Sequence, residues 1–410
     1  MLHRINVFLG GNRQENDSWL LPLIHLNLML FSFSFWMQQP LLSVKFEQLN
    51  GTEVEFGTLQ SATAVSALLG SAAMGRVIDT LGNRQGLILA QLASATCILN
   101  LALATNVQAM FLSVLPAFFQ HGMLASQAFV GSVSENKSLA FGRLALSYGV
   151  GMSLGSPLGS VLASRVGMEF ALWCAFAVAL GAVGMDLILL PSTVTGQVAI
   201  AAEPRANLGL VNQLAAIYHV ATSSPEMGYL LTMLFVGSVG PQAFRAMLPV
   251  VFVEQGYGEL KDLGFFMSYT AVLMLISNVF VVGPVVNRMG ESYSLLVALL
   301  VASGSFFTAS FWPQWVYVLQ VPQTIAFSFF YTVSSGLMSR TAKVEDQGTV
   351  NALGHATRSF NQVVAPILGG YVMRRFGFAG VRLLAAGSLL CSAGVGLLYI
   401  QHHKQRVKLE

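Results

Sequence analysis

Gly75-Arg76-Val77-Ile78-Asp79-Thr80-Leu81-Gly82-Asn83-Arg84 interrupts an otherwise apolar stretch with two glycines, two arginines and an acid. About two hundred residues later, Gly283-Pro284-Val285-Val286-Asn287-Arg288-Met289-Gly290-Glu291 repeats the pattern in a weaker form. Gly75 pairs with Gly283 and Gly82 with Gly290, both at an offset of 208. Each signature lies between two long hydrophobic segments, where a tight turn must bring two helices back to back. Two copies of one turn imply a duplicated helical bundle.

The flanking segments read as membrane-spanning. Of 410 residues, 54% are hydrophobic and only 10% charged, with 28 Phe and 39 Gly. A soluble domain carries about 25% charged residues, so this chain cannot clothe a water-facing surface. Apolar stretches long enough to cross a core of roughly 30 Å recur throughout. Gly and Pro within them fit membrane helices, whose neighbours re-satisfy freed backbone groups. Spans are expected at 19–42, 58–78, 86–105, 109–131, 141–163 and 168–190, then at 228–252, 263–286, 292–311, 315–337, 348–371 and 378–400. The resulting plan is a 1–18 N-terminus, a 19–190 bundle of six helices, a 191–227 linker, a second bundle at 228–400 and a 401–410 tail. Within the linker, Asn207 to Val220 alternates at helical spacing and reads as a surface helix.

Lys and Arg set the orientation. With the N-terminus inside, the cytoplasmic side carries 13 such residues and the opposite side 6: Lys45, Arg165, Lys261, Arg374, Arg375 and Arg382. Both termini are therefore expected in the cytoplasm. The polar start lacks an apolar core with a small-residue cleavage site, so the first span should act as an uncleaved insertion signal. Asn50-Gly51-Thr52 is a sequon in the first outward loop. Cys97, Cys174 and Cys391 sit at unrelated spacings, so no disulfide framework, metal site or cofactor is expected. The net charge of +3 is scattered and does not suggest nucleic acid as a partner. No nucleophile elbow, metal cluster or phosphate-cradling loop argues for an enzyme.

Further landmarks support the duplication. Gly155-Ser156-Pro157-Leu158-Gly159 answers to Val364-Ala365-Pro366-Ile367-Leu368-Gly369, with Pro157 and Pro366 offset by 209. Arg165-Val166-Gly167-Met168 answers to Arg375-Phe376-Gly377-Phe378 at 210. Two homologous halves predict a solute site near the bilayer midplane.

The Gly75 to Arg84 stretch resembles the loop signature between the second and third helices of the major facilitator superfamily, and the weaker copy sits where that family has its second. Gly151, Gly155, Pro157 and Gly159 resemble its glycine-proline antiporter motif, with Ser156 between the usually adjacent Gly and Pro. Ala140-Phe141-Gly142-Arg143-Leu144, Ser147 to Gly151, Leu115-Pro116 with His121, and Gly264 to Tyr269 are similar to the organic-cation-transporter-like, tetracycline-exporter-like branch, over about residues 20–400. The resemblance implies the major facilitator fold, an all-α membrane protein of twelve helices in two pseudo-symmetric bundles. It also implies small organic solutes of the organic-cation or drug type, and proton antiport. Gly75, Asp79, Gly82, Arg84, Gly283, Arg288 and Gly290 become gating residues, with Asp79 docking on the N-terminal end of the eleventh helix near Gly348 and Thr349. Gly151, Gly155, Pro157, Gly159, Pro366 and Gly369 become helix-packing residues. Asn83 replaces a usual basic residue, which leaves Arg84 to pair with an acid such as Glu135.

Arg245 lies inside the seventh span and Arg358 inside the eleventh, and an in-span arginine costs about 2.5–3.5 kcal/mol on insertion scales. Either they line a wet cavity, or Arg245 snorkels outward near Glu254. His355 shares a helical face with Arg358, in a polar stripe with Asn351, Ser359 and Gln362 that reads as cavity lining or as interhelical hydrogen bonding. His121 is a proton-relay candidate or a satisfied structural histidine. Val114 stands where related transporters often carry an arginine. Asp186, near the cytoplasmic end of the sixth span, is the one acid read inside a span. Gln38 and Gln39 on the first span, Tyr148 on the fifth, and Trp315, Phe327 and Tyr331 on the tenth complete an aromatic-polar lining. The expected function is secondary active transport of small organic solutes by alternating access. A non-transporting membrane sensor or scaffold of the same fold is the alternative.

Overall fold

The computed structural model describes residues 19–134, 137–190, 224–253, 255–341 and 347–409. The N-terminus 1–18, the surface helix expected at 207–220, most of the linker, Glu135 and Glu254 lie outside the described residues.

Among the described residues, ten helices are long and apolar enough to cross a membrane. The last of the ten, Leu353–His402, lies in a helical run Gln347–Leu409 that is divided at Gly377 (φ 68°, ψ −175°), so it supplies the eleventh and twelfth spans. Lys137–Arg165 is the remaining pass, less hydropathic because it contains five glycines and six serines over its 29 residues. The others are Leu20–Gln48, Glu53–Leu81, Asn83–Leu103, Val107–Val133, Met168–Leu189, Pro225–Val251, Leu260–Met289, Glu291–Phe311 and Pro313–Thr341. The twelve expected passes are therefore present, most of them longer than the apolar run alone suggests.

Two compact units form. One comprises the described residues of Met1–Thr52, Ala62–Ala202 and Phe252–Val272; the other those of Glu53–Ser61, Glu203–Val251 and Leu273–Glu410. The second and eighth spans are thus each divided between units.

In the first unit, Gly151, Gly155 and Gly159 recur every four residues and share one face of the fifth span. Against them run the carbonyl oxygens of Met29, Phe33 and Met37 on the first span, also four apart. A Cβ at any of these glycines would overlap the facing oxygen. Membrane helices associate through such small-residue faces, because lipid leaves no hydrophobic drive between them. The stretch Gly264 to Tyr269 then packs on the fifth span: Ser268 Oγ donates to Ser153 O at 2.7 Å, and Ser156 Oγ lies 3.4 Å from Met267 Sδ.

The second unit uses the same register, at an offset of 210. Asn361, Ala365 and Gly369 stand where Gly151, Gly155 and Gly159 do. Ala365 is fully buried, and a Cβ on Gly369 would lie 3.1 Å from Ala243 O. Asn361 Nδ2 donates to Phe235 O at 2.9 Å and to Ser238 Oγ. Pro366 offers its carbonyl to the close approach of Gly57, and Gly370 meets Glu53 O in the same way.

The repeated turns keep their backbone. Gly82 (φ 97°) and Gly290 (φ 78°) both adopt the positive φ that favours glycine. So do Gly167 (φ 127°) and Gly377 (φ 68°), the third landmark pair.

Two expected spans are not continuous α-helices. The fourth comprises Val107–Leu112, a 3-10 turn Leu115–Phe119 and Gly122–Val133. Pro116 lacks an N–H and disfavours α geometry at Leu115, which breaks the helix there. Gly70 on the second span accommodates the break, since a Cβ there would overlap Phe118 O. The eighth contains a π-helical turn, Ser277–Val281, between Leu260–Ile276 and Val282–Met289.

Replacing Gly155 with leucine should destabilise the protein by about 1–3 kcal/mol or more, through overpacking against backbone that cannot retreat. Gly75, with nothing within 4 Å of its Cβ position, should accept alanine with little loss. Thermal unfolding in detergent, followed by loss of monodisperse protein, compares the two; equal tolerance would contradict the backbone contact.

Candidate functional site

The two signature turns make equivalent contacts with different chemistry. Asn83 Nδ2 donates to Ser132 Oγ at 3.0 Å, tying the start of the third span to the end of the fourth. At the same offset of 208, Glu291 pairs with Arg340 at 3.0 Å and ties the ninth span to the tenth. Arg84 donates Nη2 to Leu187 O at 2.7 Å and Nε to Asp186 O at 3.5 Å, while Glu135, the acid expected to pair with it, lies outside the described residues. Arg84 therefore caps the sixth span, whose last carbonyls lack intrahelical partners and carry the negative end of the dipole.

Asp79 is exposed in the last turn of the second span, where its own helix dipole disfavours a carboxylate. That placement suits an acid with an external partner. The side chains of Gly348 and Thr349 lie outside the described residues. Gly283 and Arg288 are exposed at the second turn. A cavity of about 750 Å³ opens beside it, lined by Glu226, Asn287, Gly290, Glu291, Arg340, Thr341 and Tyr399 among others.

Caps recur at the opposite helix ends. Lys45, 8% exposed, donates to Ala102 O at 2.7 Å, and Arg382, 2% exposed, donates to Ala309 O at 2.8 Å. Ala102 and Ala309 are 207 apart, so equivalent ends of the third and ninth spans are capped by residues from non-equivalent helices.

The first unit holds a buried polar network that the sequence reading did not assemble. Asn27 Nδ2 donates to Asp186 Oδ1 at 2.5 Å, and Gln91 Nε2 donates to Asn27 Oδ1 at 3.2 Å. Asp186 is fully buried. His25 Nδ1 and Ser147 Oγ lie 2.8 Å apart, and Trp36 Nε1 donates to the Tyr148 hydroxyl at 3.1 Å. The signal was present: His25 and Asn27 are polar interruptions of an apolar first span. Gln38 is buried and Gln39 half-buried further along it. His121 falls at the break in the fourth span, with its ring in hydrogen-bonding reach of the Phe118 and Ala67 carbonyls and Nε2 unpartnered. Discontinuous helices line polar sites in transporters.

The second unit brings together Arg245, Phe327, Tyr331 and Arg358. The Arg245 guanidinium lies 5.3 Å from the Phe327 ring centroid, and that of Arg358 lies 5.8 Å from Tyr331. The two rings are 5.4 Å apart. Such cation–π contacts contribute about 0.5–2 kcal/mol, depending on solvation. Arg358 Nη1 also reaches Ser335 Oγ at 3.4 Å, and His355 is exposed one turn away. Trp315 is not in this group: it belongs to a short 3-10 turn at the start of the tenth span and is 54% exposed, like Trp312 beside it. Both fit an interfacial aromatic belt.

A duplicated twelve-helix bundle with in-span polar clusters and paired signature turns defines a polytopic membrane transporter. The Major Facilitator Superfamily model matches residues 24–311 and 279–409, and the chain belongs to that family. It is therefore a transporter rather than an enzyme. It is 26% identical to human solute carrier family 67 member A1 over 379 residues, covering 88% of this chain and 86% of that protein. It is 24% identical to mouse solute carrier family 22 member 18 over 362 residues, 85% of this chain and 89% of that one. The human organic anion transporter MFSD10 (TETRAN) superposes with a TM-score of 0.65 at 18% identity, over 93% of this chain and all of that one.

Asn27→Ala should destabilise the fold by about 1–3 kcal/mol, because Asp186 would keep its burial and lose its donor. Chemical denaturation in detergent reads this out. A neutral result would mean that another group satisfies Asp186.

Proposed function

We propose that the protein is a secondary active transporter that moves small organic solutes by alternating access. The observation that carries this reading is the duplication itself: both halves retain the same turn glycines, the same close-packing register and the same tie between neighbouring helix ends. Two such halves, 19–190 and 228–400, rock about a midplane site, joined by the 191–227 linker. The Gly75 to Arg84 turn acts as the cytoplasmic latch, with Asp79 as its docking acid. Only this copy carries the acid, since Asn287 stands in its place in the other.

Both termini are cytoplasmic in this reading. Burial of Lys45 and Arg382 as helix caps removes two positive charges from the outward loops, which strengthens the bias toward the inside. A cysteine at position 404, in a background lacking Cys97, Cys174 and Cys391, should react with impermeant maleimide only after permeabilisation. One at position 261 should react in intact cells, and the reverse pattern would invert the topology.

The resemblance favours drug-like or cationic solutes, while among solved fold neighbours one is named an organic anion transporter and another a nucleoside transporter. Proton antiport follows from the resemblance, with His121 and His355 as in-span carriers. Uptake into proteoliposomes with an imposed pH gradient tests both levels. Gradient-stimulated flux that drops about tenfold in His121→Ala supports antiport through that residue. Flux that ignores the gradient removes the antiport reading alone, and no flux across a broad solute panel favours the sensor or scaffold alternative.

A further inference from the structure

We infer that the solute bound by the second unit carries an anionic group, a carboxylate, sulfonate or phosphate, held by Arg245 and Arg358 with its planar body against Phe327 and Tyr331. This deepens the transport reading, and rests on it for movement though not for binding.

Arg358 lies about 11 residues from the start of its helix and about 19 from Gly377, so roughly 16 Å and 28 Å of helix rise separate it from the two ends of the span. Arg245 and Arg358 come from different spans, yet each lies over one of two rings whose centroids are only 5.4 Å apart, so they share one site, with His355 one turn from Arg358.

Among the described residues neither guanidinium meets an acid, whereas ion pairs elsewhere include Lys261 with Glu259 and Arg340 with Glu291. Arg245 is exposed and Arg358 half-buried, and other cations are treated differently: the buried Lys45 and Arg382 and the half-buried Arg84 each donate to main-chain carbonyls at 2.7–2.8 Å. Arg245 and Arg358 face ring π-systems and one serine hydroxyl at 3.4 Å instead. Each guanidinium has five donors, so most are left for a ligand. Guanidinium groups bind planar carboxylates and phosphates bidentately. A cationic solute would meet two like charges here and, among the described residues, no carboxylate paired with them.

The test is fluorescein binding to the purified full-length protein, followed by anisotropy, with benzoate, tetraphenylphosphonium and phosphatidylglycerol as competitors. Benzoate should displace fluorescein and tetraphenylphosphonium should not. Arg245→Gln and Arg358→Gln should each weaken binding about tenfold or more, with partial recovery in Arg358→Lys. Rising salt should weaken binding in the wild type. The inference is overturned if fluorescein does not bind, if tetraphenylphosphonium competes and benzoate does not, or if both glutamine variants bind normally. Displacement by phosphatidylglycerol but not benzoate assigns the site to a lipid headgroup and overturns the solute reading as well. The wild-type competition stands even where a variant fails to fold. Anion binding without flux defeats the transport reading alone; flux of a cation without anion binding defeats this inference alone.

Discussion

Close approach of two backbones is the constraint on which the rest of the first unit depends. Lipid offers no hydrophobic reward for bringing apolar helices together, so contact has to come from packing and from hydrogen bonds. The Gly151, Gly155 and Gly159 face lets the fifth span rest on the carbonyl row of Met29, Phe33 and Met37. That contact sets the register of His25 against Ser147 and of Trp36 against Tyr148. Each of those polar pairs bridges the same two spans.

The second unit keeps the positions and changes the chemistry. Asn361 replaces a packing glycine with an amide that bonds the facing backbone. An ion pair, Glu291 with Arg340, replaces the hydrogen bond between Asn83 and Ser132. Duplication conserves places where something must tie helix to helix, because helix ends leave unsatisfied carbonyls and turns need positive φ. It does not conserve which residue does so. The asymmetry extends to the polar clusters. The first unit buries an acid among amides, while the second gathers arginines on aromatic rings.

Much of the fold was legible because its signals are local. Span length, turn glycines and a repeat at a near-constant offset are all read along the chain. Pro116 announced a break in the fourth span, yet apolar composition on both sides concealed it. Arg245, Arg358 and Tyr331 were separately identifiable, since polar groups inside spans are rare and costly. Their shared site was not, because it joins three helices whose contributing residues run from Arg245 to Arg358 along the chain. Trp315 was grouped with them by its place on the tenth span, although its helix carries it to the exposed end.

By itself the sequence determined the number of passes and the duplication, which follow from composition and spacing and do not need distant contacts. The superfamily entered through the resemblance of the signature turns and the family match. Tertiary structure alone decided the partners: Arg84 on the carbonyls of the sixth span, Asp186 on Asn27, and two arginines on neighbouring rings. The physical reason is that a buried polar group takes whatever donor or acceptor the packing brings within about 3 Å. The one-dimensional pattern marks that such a partner is needed, and only the packed bundle says which.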